Sequence, residues 1–198
     1  MDARYLQAAT VLPHQNKVCG RTLRPFCLRH RVAMEALQSP FLNPSTKPID
    51  PYAVVIAARI LSTHDMEEMC RPLSIVEKLY IARMAFSRKY FSRCVGIILG
   101  CMQVALSYPK FWSKDEKKEN KKYEAIPFPL ACVASLCRNG VDLESAWTMP
   151  EGEAVWMSVA NALAEGAKID VLSTEEEKDL EKFDERVEAY KKSNNLKN

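Results

Sequence analysis

His14, Cys19, Cys27 and His30 are the residues of this chain whose types could do chemistry together. Cys27 and His30 are spaced three apart, which brings both to one side of a helix, and with His14 and Cys19 they would complete four zinc ligands. The remaining spacings match no ordinary zinc module, so the expected reading is a core histidine and thiol on the first helix, with no metal. The same pair formally offers a Cys-His nucleophile. Adjacency in sequence is not the geometry such a pair needs, however, and no glycine-rich oxyanion turn follows. Six glycines supply no phosphate-cradling loop: Gly96 and Gly100 fall mid-helix, and Gly140, Gly152 and Gly166 mark caps or breaks. Carboxylates run together at Glu67-Glu68 and Glu175 to Glu177, as they do on solvated faces and helix N-termini rather than in acid-base catalysis. No catalytic residue, cofactor or enzymatic activity is expected.

Such chemistry would need a scaffold, and 198 residues suffice for one compact domain with a real core. The formal charge of +3 is unevenly spread, residues 1–100 carrying about +7 and residues 101–198 about −4. That asymmetry favours an anionic partner or head-to-tail self-association; the basic residues are too scattered to read as a nucleic-acid interface. Seven cysteines with no Cys-x-x-Cys, mostly inside apolar runs, read as reduced buried thiols of a cytoplasmic protein. The N-terminus, with Asp2 and no apolar run, is no secretory signal.

The elements that must position these residues are helices separated by proline-rich connections. The expected fold is all-α, a single compact multi-helix domain with an irregular N-terminal segment and a long charged loop. Residues 1–22 read as irregular, residues 23–191 as the helical domain, and residues 192–198 as a frayed tail. Thr22 is a candidate N-cap for a helix to about Gln38, with Phe26, His30, Ala33 and Leu37 on one face. Asp50-Pro51 caps and opens the apolar YAVVIAARILS, a central core helix interrupted only by Arg59. From Pro72 to about Ser107 runs the longest helical stretch, with Ile75, Leu79, Ala82 and Phe86 in one stripe and a break near Phe91 to Arg93. Its second half, about 16 residues between Arg93 and Lys110, is short of the roughly 20 a membrane span needs. Residues 110–126 form a lysine- and glutamate-rich loop between aromatic and proline brackets, read as mobile. Pro127 to Arg138 is a helix burying Leu130, Val133, Ala134 and Cys137, closed by Asn139-Gly140. Asp142 caps a short turn, and Pro150 starts a helix with Val155, Val159 and Ala162 on one face. Ser173 and Glu176 box the start of the last helix, 174–191, whose apolar stripe is Leu180, Phe183, Val187 and Tyr190.

Between Gly140 and Gly166 two tryptophans, Trp147 and Trp156, flank a Met149-Pro150 break with no catalytic residue among them, which points to packing and partner binding. Two blocks carry a family likeness. The run RTLRPFCLRHRVAMEALQSPFL with the later AVVIAARILS, and the block LESAWTMPEGEAVWMSVANALAEGA, resemble the phage tail assembly chaperones, small helical proteins encoded beside the tape-measure gene of tailed bacteriophages. The lysine-rich loop and the seven cysteines have no counterpart in that pattern. The resemblance implies a non-enzymatic role in the bacterial cytoplasm, binding the helical tape-measure protein while tail-tube subunits assemble around it. Helix-in-groove docking would use Trp147, Met149, Trp156 and Met157, with Phe111 and Trp112 at the loop edge, methionine adapting to varied client side chains. The competing expectation is a structural virion component, a head-tail connector or tail-terminator subunit, built as a permanent ring.

Overall fold

The computed structural model describes residues 4, 16–43, 47–108, 110–113 and 126–195. Among these the chain is all-α, with nine helices and two short antiparallel ladders. Its contacts divide it into two compact units, Met1–Tyr108 with Lys121–Asn161, and Pro109–Asn120 with Ala162–Asn198. No helix among the described residues is long and apolar enough to cross a membrane.

In the first unit, the expected irregular start gives way at residue 17 to a hairpin, β1 (Lys17–Val18) and β2 (Arg21–Thr22), pairing Lys17 with Thr22 and Val18 with Arg21. Cys19 and Gly20 turn it with φ of 51° and 75°, the two positive angles of a tight primed turn. Thr22 is therefore spent in a ladder and caps nothing. Helix α1 (Leu28–Ala36) starts later, with Cys27 as its N-cap, and Leu37 just beyond it is exposed while Phe26, His30 and Ala33 are buried.

Helix α2 (Pro51–Ile60) is the central core element. Asp50 accepts the Ala53 N–H at 2.7 Å, Pro51 opens the first turn, and Val54, Val55, Ala57, Ala58 and Ile60 are buried, each large aliphatic contributing roughly 1.5–3 kcal/mol. Around it pack α1, α3 (Met66–Cys70), α4 (Ile75–Phe86) and α5 (Arg88–Ala105). The break between α4 and α5 falls at Ser87, not at 91–93: Ser87 closes α4 and its hydroxyl caps α5 at the Tyr90 N–H. Among the described residues, nothing outside their own helix turn comes within 4 Å of where a Cβ on Gly96 or Gly100 would stand, so no other described backbone uses their close-approach face. Helix α6 (Phe128–Arg138) ends at Gly140 in the left-handed region, φ 89°, but buries Pro129, Cys132, Val133 and Leu136. Leu130 and Ala134 face outward, a rotation of the expected face. Helix α7 (Leu143–Thr148) is capped by Asp142, and α8 (Glu151–Ala164) begins where the Glu151 N–H reaches the Phe26 carbonyl at 3.0 Å.

In the second unit, β3 (Phe111–Ser113) pairs antiparallel with β4 (Ile169–Val171), so the start of the expected loop is a strand. Residues 114–125 of that loop lie outside the described residues. Helix α9 (Thr174–Asn195) starts with the anticipated reciprocal box, Ser173 N–H to Glu176 at 2.8 Å and Glu176 N–H to Ser173 at 3.3 Å, and runs to Asn195, into the tail expected to fray from 192, whose residues 196–198 lie outside the described residues.

Candidate functional site

The four chemical residues separate. His14 lies outside the described residues. Cys19 is hydrogen-bonded to Cys94, a bond that holds Cys19 above its ordinary range and, against the burial that opposes it, draws Cys94 down to about 7. Cys27 and His30 remain together, and His64 joins them: one donor atom of each lies within 4.8 Å of the others. The His30 ring is already committed, however. Its Nδ1 accepts the Cys27 N–H at 3.3 Å and its Nε2 lies 2.9 Å from the Thr63 carbonyl, which selects the Nε2-protonated tautomer and leaves no lone pair for a metal. The Cys-x-x-His spacing is thus that of a capping box, with Cys27 at the N-cap and histidine in the place usually taken by Glu or Gln. Burial lifts Cys27 to about 11 and pulls His30 to about 4, so at neutral pH both are uncharged and form no activated thiolate-imidazolium pair.

Two buried carboxylates missed by the sequence reading organise the first unit. Glu151, fully buried, receives Arg31 through Nε and Nη2, both at 2.6 Å, and the Tyr108 hydroxyl at 3.0 Å. Burial lowers the Arg31 pKa, and the paired carboxylate more than reverses this. The guanidinium also lies over the Phe26 and Phe128 rings. Glu77 is the N3 residue of α4's capping box, accepting the Ser74 N–H at 2.8 Å, and gathers three guanidiniums on Oε1: Arg71 at 3.1 Å, Arg59 at 3.3 Å and Arg21 at 3.4 Å. These arrangements lock α1 to α8 and α2 to α4. No local spacing announces pairs that are 120 residues apart in sequence, as Arg31 and Glu151 are.

The residues expected to dock a partner fall on three elements in two units. Trp147 is half-buried on α7, where with Val32, His64 and Met66 it lines a recess of about 410 Å³. Met149 is the C-cap of α7 in extended conformation, and Trp156 and Met157 are half-buried on α8. Phe111 and Trp112 belong to the second unit, on β3. Among the described residues of the first unit, the most exposed large apolar side chains lie along α4. Ile75 is 79% exposed, Leu79 65% and Phe86 94%, with Val76 beside them. Ile75, Leu79, Ala82 and Phe86 are the stripe read from the sequence, and the structure turns it to solvent, because the opposite side, Glu77 and Met84, faces α2 and the core. Lys78, Arg83, Arg88 and Lys89 flank the stripe, Arg83 lying 4.3 Å over the Tyr90 ring.

No protein-family model, curated protein or solved structure matches this chain.

Proposed function

We propose that this chain is a non-enzymatic binding protein of the phage tail assembly chaperone type, covering apolar helices of the tape-measure protein before the tail tube closes around it. The observation that carries the reading is the outward apolar stripe of α4, with Phe86 94% exposed on a well-capped helix. Exposed apolar surface of that kind, rimmed by charge, is the mark of an interaction site. Its helical spacing suits an amphipathic helix laid alongside, and its basic rim selects acidic flanks on the partner. The resemblance of the two sequence blocks supplies the class of client, and tail-tube subunits are the second candidate partner.

Co-expression with a tape-measure protein of a tailed bacteriophage, followed by size-exclusion chromatography with light scattering, tests this. The expected result is a soluble complex where the tape-measure protein alone precipitates, and its loss in the Leu79→Lys/Phe86→Lys variant with an unchanged melting curve. Trp147→Ala/Met157→Ala examines the alternative face. A closed ring of this chain that ignores the client would favour a virion connector, and a double-lysine variant that still binds would remove α4 from the interface.

A further inference from the structure

Cys19 sits in the β1–β2 turn and Cys94 in the first half of α5, and the packing of β1 against α5 brings their thiols together in a hydrogen bond. Both belong to the core cluster, and neither is in a disulfide. The turn also lies against the Tyr80 hydroxyl of α4 at Gly20, so the hairpin spans the α4–α5 pair.

The two thiols are not equivalent. The bond from Cys19 is the strongest influence on Cys94, and with the Tyr90 hydroxyl and the Arg93 and Arg83 charges it draws Cys94 down to about 7 against the burial that opposes it. The same bond and burial hold Cys19 above its ordinary range, so Cys19 keeps its proton and donates it to Cys94. Burial alone dominates at Cys27, Cys101 and Cys132 and raises all three, which keeps them as thiols and slow to oxidise. Access is through the turn: two residue pairs make its ladder, Gly20 is exposed, and so short a hairpin opens locally at little cost to a reagent hardly larger than water.

From this juxtaposition of two thiols on separate elements we propose that Cys19 and Cys94 are an oxidation site for hydrogen peroxide, which converts them into an intramolecular disulfide fastening the β1–β2 turn to α5. The Cys94 thiolate attacks one peroxide oxygen, the O–O bond breaks and hydroxide leaves, so that sulfur is oxidised to the sulfenic acid and peroxide is reduced. The Cys19 sulfur then attacks the Cys94 sulfur, the S–O bond breaks as the S–S bond forms, and the leaving oxygen departs as water with the Cys19 proton. The inference is independent of partner binding by α4, since its test uses the protein alone.

Cys70, which is exposed, is replaced in a Cys70→Ser background to prevent crosslinks between copies. After equimolar hydrogen peroxide, thiols titrated in denaturant are expected to fall from six to four, and a non-reducing peptide map to join Cys19 to Cys94. The melting temperature is expected to rise, because the bond closes a loop of about 75 residues in the unfolded chain, and to return on adding dithiothreitol. Cys19→Ser in the same background is expected to stop at the sulfenic acid, captured on Cys94 by dimedone, with no rise in melting temperature. Should that variant fail to fold, the peptide map of the Cys70→Ser protein decides alone. Six thiols surviving the treatment, a crosslink through any other cysteine, or sulfinic acid on Cys94 with Cys19 untouched would each overturn the site.

Discussion

His30 holds a backbone N–H and a backbone carbonyl at once, which its imidazole can do when neutral, one nitrogen accepting and the other donating, but not when protonated. Burial pulls its pKa from 6.5 to about 4. In the unfolded chain the ring regains its ordinary value, so as pH falls from 6.5 towards 4 the unfolded state takes up a proton that the folded state refuses. The stabilisation is complete above the unfolded value, is lost through that window, and levels off once both states are protonated; the whole shift is worth about 3 kcal/mol. Burial lowers His64 as well, so it acts in the same direction, whereas Glu68 and Glu77, held below the carboxylate range, act only at lower pH. Melting curves from pH 7 to 4 are therefore expected to fall, and to fall much less in His30→Gln, whose amide can accept the Cys27 N–H and donate to Thr63 without titrating. An equally steep fall in that variant would place the acid sensitivity elsewhere.

At the scale of elements, the β1–β2 turn makes a separate demand. Gly20 has φ 75°, and a Cβ on it would stand 2.9 Å from the Tyr80 hydroxyl oxygen of α4. Gly20→Ala is expected to destabilise by about 1–2 kcal/mol from the left-handed backbone alone, plus whatever moving the Tyr80 ring costs. In a Tyr80→Phe background only the first part should remain, and a double-mutant cycle on urea unfolding separates the two; zero coupling would mean that Tyr80 swings aside freely. The caps at Asp50, Asp142, Ser173 and Gly140 were legible in the sequence because donor and acceptor lie within a few residues of each other. Face orientation was not. The α4 stripe, the rotated face of α6 and the burial of Arg59 depend on which neighbour arrives, and periodicity gives a stripe without saying what covers it. The hairpin at 17–22 is too short for alternation to show, and its only signal, Gly20 after Cys19, looks like part of a cysteine pattern.

Over the whole chain, the charge asymmetry acquires two physical carriers. The α4 stripe is flanked by Lys78, Arg83, Arg88 and Lys89, while α9 has its own outward apolar residues, Phe183 at 62% and Tyr190 at 68% exposure, and opens with Glu175 to Glu177. A basic-rimmed stripe and an acidic amphipathic helix on one chain are complementary between copies, and such a heterologous contact repeats head to tail. Light scattering is expected to show a mass that rises with protein concentration at low salt. It should decline above physiological ionic strength, where the screening length is below about 8 Å. Phe86→Glu and Phe183→Glu should each return the chain to monomer, and mixing the two single variants should not restore assembly beyond isolated dimers, because each retains only one competent face. A client helix that uses α4 must compete with this association, so adding it should dissolve the oligomers as the complex forms. A mass independent of concentration, or assembly untouched by Phe86→Glu, would show that the two stripes do not meet and leave α4 to its client alone.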